Sequence, residues 1–171
     1  WARFATALNA RTEFVALFDD DTVPGSLWFQ NCYDTFQDCP GILGTSGHIF
    51  NTQDGQPDCY ENLTCVGWKA PCEQAVPVDL VGHAWFFKRE WLPYMWLELP
   101  EPWYWNAGED VWLSFMCQKH LQVATYVPPH PPKQPELWGS TQGWGWGKDK
   151  NSLWEADKHD FRQRLGLSYR H

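Results

Sequence analysis

Phe14-Val15-Ala16-Leu17-Phe18-Asp19-Asp20-Asp21-Thr22 is the stretch whose reading decides the fold. Five consecutive apolar residues fit a buried strand, and three carboxylates follow where that strand ends. In an open α/β sheet, ligands gather at the carboxyl ends of strands. Three adjacent acids repel one another, and a cation relieves that repulsion. Hard divalent ions such as Mg²⁺ and Mn²⁺ prefer oxygen ligands of this kind. In extended backbone Asp19 and Asp21 point one way and Asp20 the other, so two of the three can share one ion. The plainer alternative is an acidic turn after a strand.

Outward from this run, the chain alternates helical and extended patterns. Residues 1–12 read as the end of a helix, with Phe4, Ala7 and Leu8 on one face. Pro24-Gly25 closes the acidic turn, and Ser26 is placed to cap a helix over 26–36. Residues 41–50 form a short strand with glycine bends, and 51–75 read as an irregular surface excursion. Strand character returns over 76–87, and a helical turn opens at Lys88. A Pro/Trp-rich link (100–105) leads to a helix over 109–120. In that helix Leu113, Met116 and Cys117 face a core, and Glu109 and Asp110 sit at its positive end. A strand over 123–127 runs into Pro128-Pro129-His130-Pro131-Pro132, where the flanking prolines hold the backbone of His130 extended. Gly143-Trp144-Gly145-Trp146-Gly147 reads as an aromatic loop, and 151–165 as a polar closing helix. There is no internal repeat, and the 171 residues fit one domain.

Composition narrows the function classes. A formal charge of −8 without a Lys/Arg cluster argues against a nucleic-acid binder and against docking on anionic membrane. No run is long and apolar enough to span a bilayer. The chain carries 13 Trp, 10 Phe and 6 Tyr. Some of these rings fill the core; the surplus suits the C–H faces of sugars, since an aromatic offers a flat apolar surface and Trp adds a polar edge. Cys32 and Cys117 sit among apolar periodic residues and read as buried thiols. Cys59, Cys65 and Cys72 crowd beside the sequon Asn62-Leu63-Thr64. An even count of 6 Cys with a sequon leans toward disulfides and an oxidising secretory lumen. The opening at Trp1, without an initiator Met, suggests a mature or truncated piece of a longer protein.

Three motifs now stand in order: Asp19-Asp20-Asp21, Glu109-Asp110 and His130. Acids at a helix start are commonly dipole complements, and a lone His between prolines is commonly a turn residue. Their ordered combination resembles the GT-A glycosyltransferases, the metal-dependent group that uses nucleotide-sugar donors. Asp19-Asp20-Asp21 matches the D-x-D motif of that family, and Gly108-Glu109-Asp110-Val111-Trp112-Leu113-Ser114 is similar to the G-E-D-x-x-L-S signature of inverting members resembling family two. Val78-Asp79-Leu80-Val81-Gly82-His83-Ala84-Trp85-Phe86-Phe87 looks like the segment near donor sugar and acceptor.

The resemblance spans roughly residues 1–140. It implies an α/β fold with a mixed, Rossmann-related sheet flanked by helices. The βαβ nucleotide-binding portion that ordinarily precedes D-x-D is not in this sequence, so a missing N-terminal segment or a second chain is expected to complete the site. It implies that Asp19, Asp20 and Asp21 bind the cofactor, with Asp19, Asp21 and His130 on Mn²⁺ or Mg²⁺. Asp110 is the implied general base and Glu109 its partner or an acceptor-positioning group. Gly82, His83, Ala84, Trp85 and Trp138 are implied substrate contacts, with Trp103 and Trp105 as further candidate platforms. The implied partners are a nucleotide-sugar donor and a glycan, glycoprotein or other hydroxyl acceptor.

Two other readings compete. Asp19-Asp20-Asp21-Thr22-Val23 also fits the D-x-D-x-[TV] start of haloacid-dehalogenase-like phosphatases, but no later acidic signature at the required spacing follows Gly108-Glu109-Asp110. A sugar-binding or structural module that keeps the fold without turnover is the rival outside enzymology. Gly44-Thr45-Ser46-Gly47-His48 breaks the serine-hydrolase G-x-S-x-G at its last position.

Overall fold

The computed structural model describes residues 1–20, 22–53, 56–57, 63–67, 70–100 and 108–141. The apolar run before the acids is β1 (Phe14–Phe18), which lies at an edge of the described sheet. It pairs antiparallel with β7 (Leu80–Lys88), with Phe14 opposite Lys88 and Phe18 opposite Ala84. β7 pairs antiparallel with the central strand β2 (Gly41–Phe50). On its other side β2 has two partners. Its first half runs parallel to β8 (Ala124–Val127), and its second half pairs antiparallel with β5 (Leu63–Gly67). β6 (Val76–Val78) closes the far edge against β8. The result is a mixed six-stranded sheet in the order β1-β7-β2-β8-β6, with β5 beside β2. β3 (Thr52–Gln53) and β4 (Gln56–Pro57) form a separate small hairpin.

Helices cover both faces, as an α/β fold requires for strands that are apolar throughout. On one face α2 (Trp28–Asp38) presents Trp28, Cys32 and Phe36, spaced four residues apart, to Leu43, Ala84 and Phe86. On the other face lie α1 (Ala2–Ala7), a 3₁₀ helix (Arg89–Trp96) and α3 (Glu109–Leu121). Their Phe4, Leu92, Met95, Leu113, Met116 and Cys117 pack with Ile42, Leu80, Trp85, Phe87 and Val127. Among the described residues no helix is long and apolar enough to cross a membrane.

Several expectations change in detail. The second helix begins at Trp28 rather than Ser26, and Leu27 is its N-cap without a side-chain cap bond. The preceding turn is anchored by tertiary bonds instead: Gly25 N donates to Trp138 O at 2.8 Å and Leu27 N to Glu136 O at 2.8 Å. The expected single strand over 76–87 divides at Asp79, whose N–H bonds His48 O at 2.9 Å and whose carboxylate accepts from Phe50 N at 2.6 Å. Part of the excursion over 51–75 is not irregular, because Leu63–Gly67 joins the sheet. Cys32 and Cys117 are buried as expected, and burial pushes the Cys32 thiol well up and Cys117 up to about 12. Among the described residues Cys32, Cys39, Cys65, Cys72 and Cys117 are free. Cys59, Asn62 of the sequon, the aromatic loop at 143–147 and the helix expected over 151–165 lie outside the described residues.

Candidate functional site

The site begins where β1 ends. Asp19 follows its last residue and is half-buried, whereas Asp20 is exposed in a turn closed by the Thr22 N–H bond to Asp19 O at 3.2 Å. Asp21, expected to share a cation with Asp19, lies outside the described residues. The Asp19 N–H donates to His83 O at 2.9 Å, which extends the β1–β7 ladder by one bond past Phe18.

His83 is the residue that bends this rim. Along the β2–β7 pairing, Gly44 faces Trp85 and Ser46 faces Gly82, so two steps on β2 match three on β7. The extra residue makes a bulge, and His83 adopts φ +65°, a left-handed conformation uncommon for a side chain with a Cβ. The bulge re-aims the imidazole, and His83 Nδ1 comes to 3.3 Å from Asp19 Oδ2.

The N-terminus of α3 supplies the second half. Gly108, at φ +96°, turns the chain into the helix, and Glu109 and Asp110 occupy its first turn. Asp110 Oδ1 accepts from Val111 N at 2.8 Å. A Cβ added at Gly82 would lie 3.5 Å from Asp110 Oδ2, so the bulge backs directly onto this carboxylate. The Asp110 carboxyl is pushed up from 3.8 to about 6. Loss of solvent is the leading cause and the neighbouring Glu109 charge the next, while the Val111 N–H bond and the nearby His83 pull the other way. Chain segments around residues 19, 83 and 110 thus meet at one rim, and two of the three expected motifs converge.

A member of this cluster was not anticipated. Arg3, on α1, makes an ion pair with Asp19, lies 3.6 Å from Glu109 Oε1 and sits 5.4 Å above the Trp85 ring. A single basic residue 16 positions before an acid carries no local signal. The amphipathic face of α1, with Phe4 and Ala7 buried, was the clue that this helix docks beside the sheet. The donor chemistry of Asp19, a carboxylate at a strand end, fits a hard divalent ion. In this structure Arg3 pairs with Asp19 Oδ1 and His83 approaches Oδ2, so both oxygens are already engaged.

His130 stands apart from the acids. Its ring is buried; Nδ1 lies 2.7 Å from Pro128 O, Nε2 accepts from Gly139 N at 3.1 Å and lies 3.3 Å from Thr45 Oγ1. Burial, the leading cause, holds this imidazole below its usual range, so it stays neutral. Binding a cation through His130 requires those bonds to open. As placed, it pins the Pro-rich loop to the sheet, aided by a backbone bridge to Cys72. Among the described residues, no three His, Cys, Asp or Glu side chains form a metal-binding group.

The implied substrate contacts divide. Gly82 and His83 line the rim. Ala84 is fully buried under α2, and Trp85 is 2% exposed, with Nε1 donating to Val81 O at 2.8 Å and Phe4 edge-on at 5.3 Å. Both are core residues as placed: with β7 covered on both faces, neither side chain presents an open surface. Trp138 is half-buried beside the acidic turn, bonding Pro131 O through Nε1 at 2.8 Å. Trp103 and Trp105 lie outside the described residues. No family model matches the sequence, and no curated protein matches it at a significant level.

Proposed function

We propose that this chain carries the acceptor-side half of a metal-dependent glycosyltransferase of GT-A type, which moves a sugar from a nucleotide-diphosphate donor to a hydroxyl with inversion. The observation that carries the reading is the meeting of Asp19, His83 and Asp110 at one rim, where burial pushes the Asp110 carboxyl up to about 6. A general base works best when its pKa lies near the working pH, and a carboxylate in water is too weak a base for that task. Desolvation and the adjacent Glu109 move Asp110 toward that range.

In this reading Asp110 takes the proton of the acceptor hydroxyl as its oxygen attacks the anomeric carbon. Glu109 raises the basicity of Asp110 and offers an acceptor contact. His83 holds the Asp19 carboxylate through Nδ1 and fixes its direction at the strand end. Asp19, with Asp21, would hold Mn²⁺ or Mg²⁺, and the bound ion would offset the charge of the departing diphosphate. The expected nucleotide-binding portion, in a further segment or a second chain, remains part of the proposal. β1 at the edge of the described sheet supports it, since an edge strand can accept another partner.

One observation favours a reading without turnover: the Arg3–Asp19 pair neutralises the cluster from within, as a purely structural ion pair does. Incubation with Mn²⁺ and a panel of nucleotide-sugars separates the two. Release of nucleoside diphosphate that disappears in Asp110→Asn supports the transferase. Binding of sugar with no release supports the module, and free phosphate from a monoester supports phosphatase chemistry.

A further inference from the structure

Outside the acidic rim, a second cluster of reactive side chains forms where β5 pairs with β2. The register sets Cys65 opposite His48, so the two side chains share one face of the sheet, and Ser46 lies two residues before His48 on that face. His48 Nδ1 lies 3.6 Å from Cys65 Sγ, and His48 Nε2 lies 3.5 Å from Ser46 Oγ. The imidazole and the serine are buried, whereas Cys65 is exposed. A proton on Nε2 directed at Ser46 Oγ leaves the Nδ1 lone pair facing the thiol. Among the described residues, Cys65 is the cysteine whose sulfur meets an imidazole. Cys32 and Cys117 are buried, and loss of solvent pushes their thiols up. Cys72 is half-buried, and loss of solvent is the leading cause that pushes its thiol up as well. Its Sγ meets Pro128 O at 3.7 Å, an acceptor too weak to take the proton away.

We propose that Cys65 is a modification site for small disulfides of the glutathione class, with His48 as the base that frees its thiolate. The step is thiol–disulfide exchange. The Cys65 thiol gives its proton to His48 Nδ1, and the thiolate attacks one sulfur of the small disulfide. A bond forms between Cys65 Sγ and that sulfur as the original S–S bond breaks, and the departing thiolate takes the proton back from His48. Cys65 is oxidised into a mixed disulfide while half of the small molecule is reduced to a thiol, so no further oxidant is needed. An attacking thiol needs open approach for the incoming disulfide as well as a proton acceptor, and Cys65 has both. None of these three residues belongs to the rim, so the site stands whether or not the chain is a transferase.

The test treats the reduced, desalted protein with oxidised glutathione and maps the adducts over time by mass spectrometry. Cys65 is expected to take up glutathione about tenfold faster than an unstructured peptide of residues 63–67, a gain short of the usual reach of a general base because an exposed thiol also loses its proton to water. A rate equal to or slower than that of the peptide overturns the proposal. So does an adduct that forms elsewhere and spares Cys65, or a disulfide from Cys65 to another cysteine of the chain in place of the adduct. His48→Gln is expected to bring the rate at Cys65 down to that of the peptide while Cys32 and Cys117 stay unmodified. An unchanged rate at Cys65 in that variant removes the base and overturns the proposal. Modification of Cys32 and Cys117 there would show a loosened fold, and the comparison of parent protein with peptide then decides.

Discussion

Replacing Asp110 by Asn is expected to make the protein more stable above pH 6 and no more stable below pH 4. The sign follows from the direction of the shift. The carboxyl titrates near 3.8 when unfolded and near 6 when folded. Below the unfolded value it is neutral in both states and contributes nothing. As pH rises from 3.8 through 6, the unfolded chain gives up its proton first, and the folded state is penalised for holding a charge it solvates poorly. Above 6 the penalty is complete. At about 1.4 kcal/mol per pH unit, the rise converts to roughly 3 kcal/mol. Asp110 retains part of its surface, and water screens what reaches it, so about 1–2 kcal/mol is the realistic gain. Asn keeps an oxygen for the Val111 N–H, which lies 2.8 Å away, so the helix start remains bonded. The attraction of His83 is already contained in the net shift, so nothing further is subtracted for it. Urea unfolding of parent and variant at intervals from pH 4 to 8 measures the difference. A gap that is absent at pH 4 and opens toward about 1 kcal/mol or more at pH 8 supports the reasoning. A variant that is less stable at pH 8, or a gap independent of pH, refutes it.

Other consequences are quickly checked. His83→Gly is expected to be more stable than His83→Ala by about 1 kcal/mol, because both lose the Asp19 contact but only glycine accepts φ +65° without strain; chemical denaturation compares them. Gly25→Ala would place a Cβ 2.4 Å from the carbonyl oxygens of Pro135 and Glu136, and should cost about 1–3 kcal/mol while loosening the acidic turn. Proteolysis at the turn together with a melting curve reads both effects. In native protein at pH 8, iodoacetamide should label Cys65, which is exposed, and leave Cys32 and Cys117 untouched until denaturant is added, as peptide mapping by mass spectrometry will show.

The parts of the fold written in sequence are those set by local pattern. A continuous apolar run gave β1, and the 3.6-residue period after Gly108 gave α3 within one residue of its end. Ser26 misled because a cap is a local solution, whereas this turn is held by bonds to residues 136 and 138, more than a hundred positions away. Leu63–Gly67 was hidden because Thr64 and Cys65 face solvent and dilute the apolar signal of an edge-lying strand. Within the site, the acids were legible by type and spacing. The bulge at His83 was not, since it arises from a mismatch between two strands rather than from either alone. Trp85 shows the converse: an aromatic beside the site looks like a ligand platform in sequence, but burial on both faces of β7 makes it core. His130 is held by bonds to Pro128 O, Thr45 and Gly139 N, partners that no spacing reveals.

The proposed chemistry requires a carboxylate whose basicity the fold has raised. Carbon-detected NMR titration of the Asp110 carboxyl, in the parent and in Glu109→Gln, measures this without any ligand. A midpoint near 6 in the parent that moves down when the neighbouring charge is removed is the expected result. A midpoint near 4 that ignores Glu109 would show an ordinary surface acid and contradict the claim.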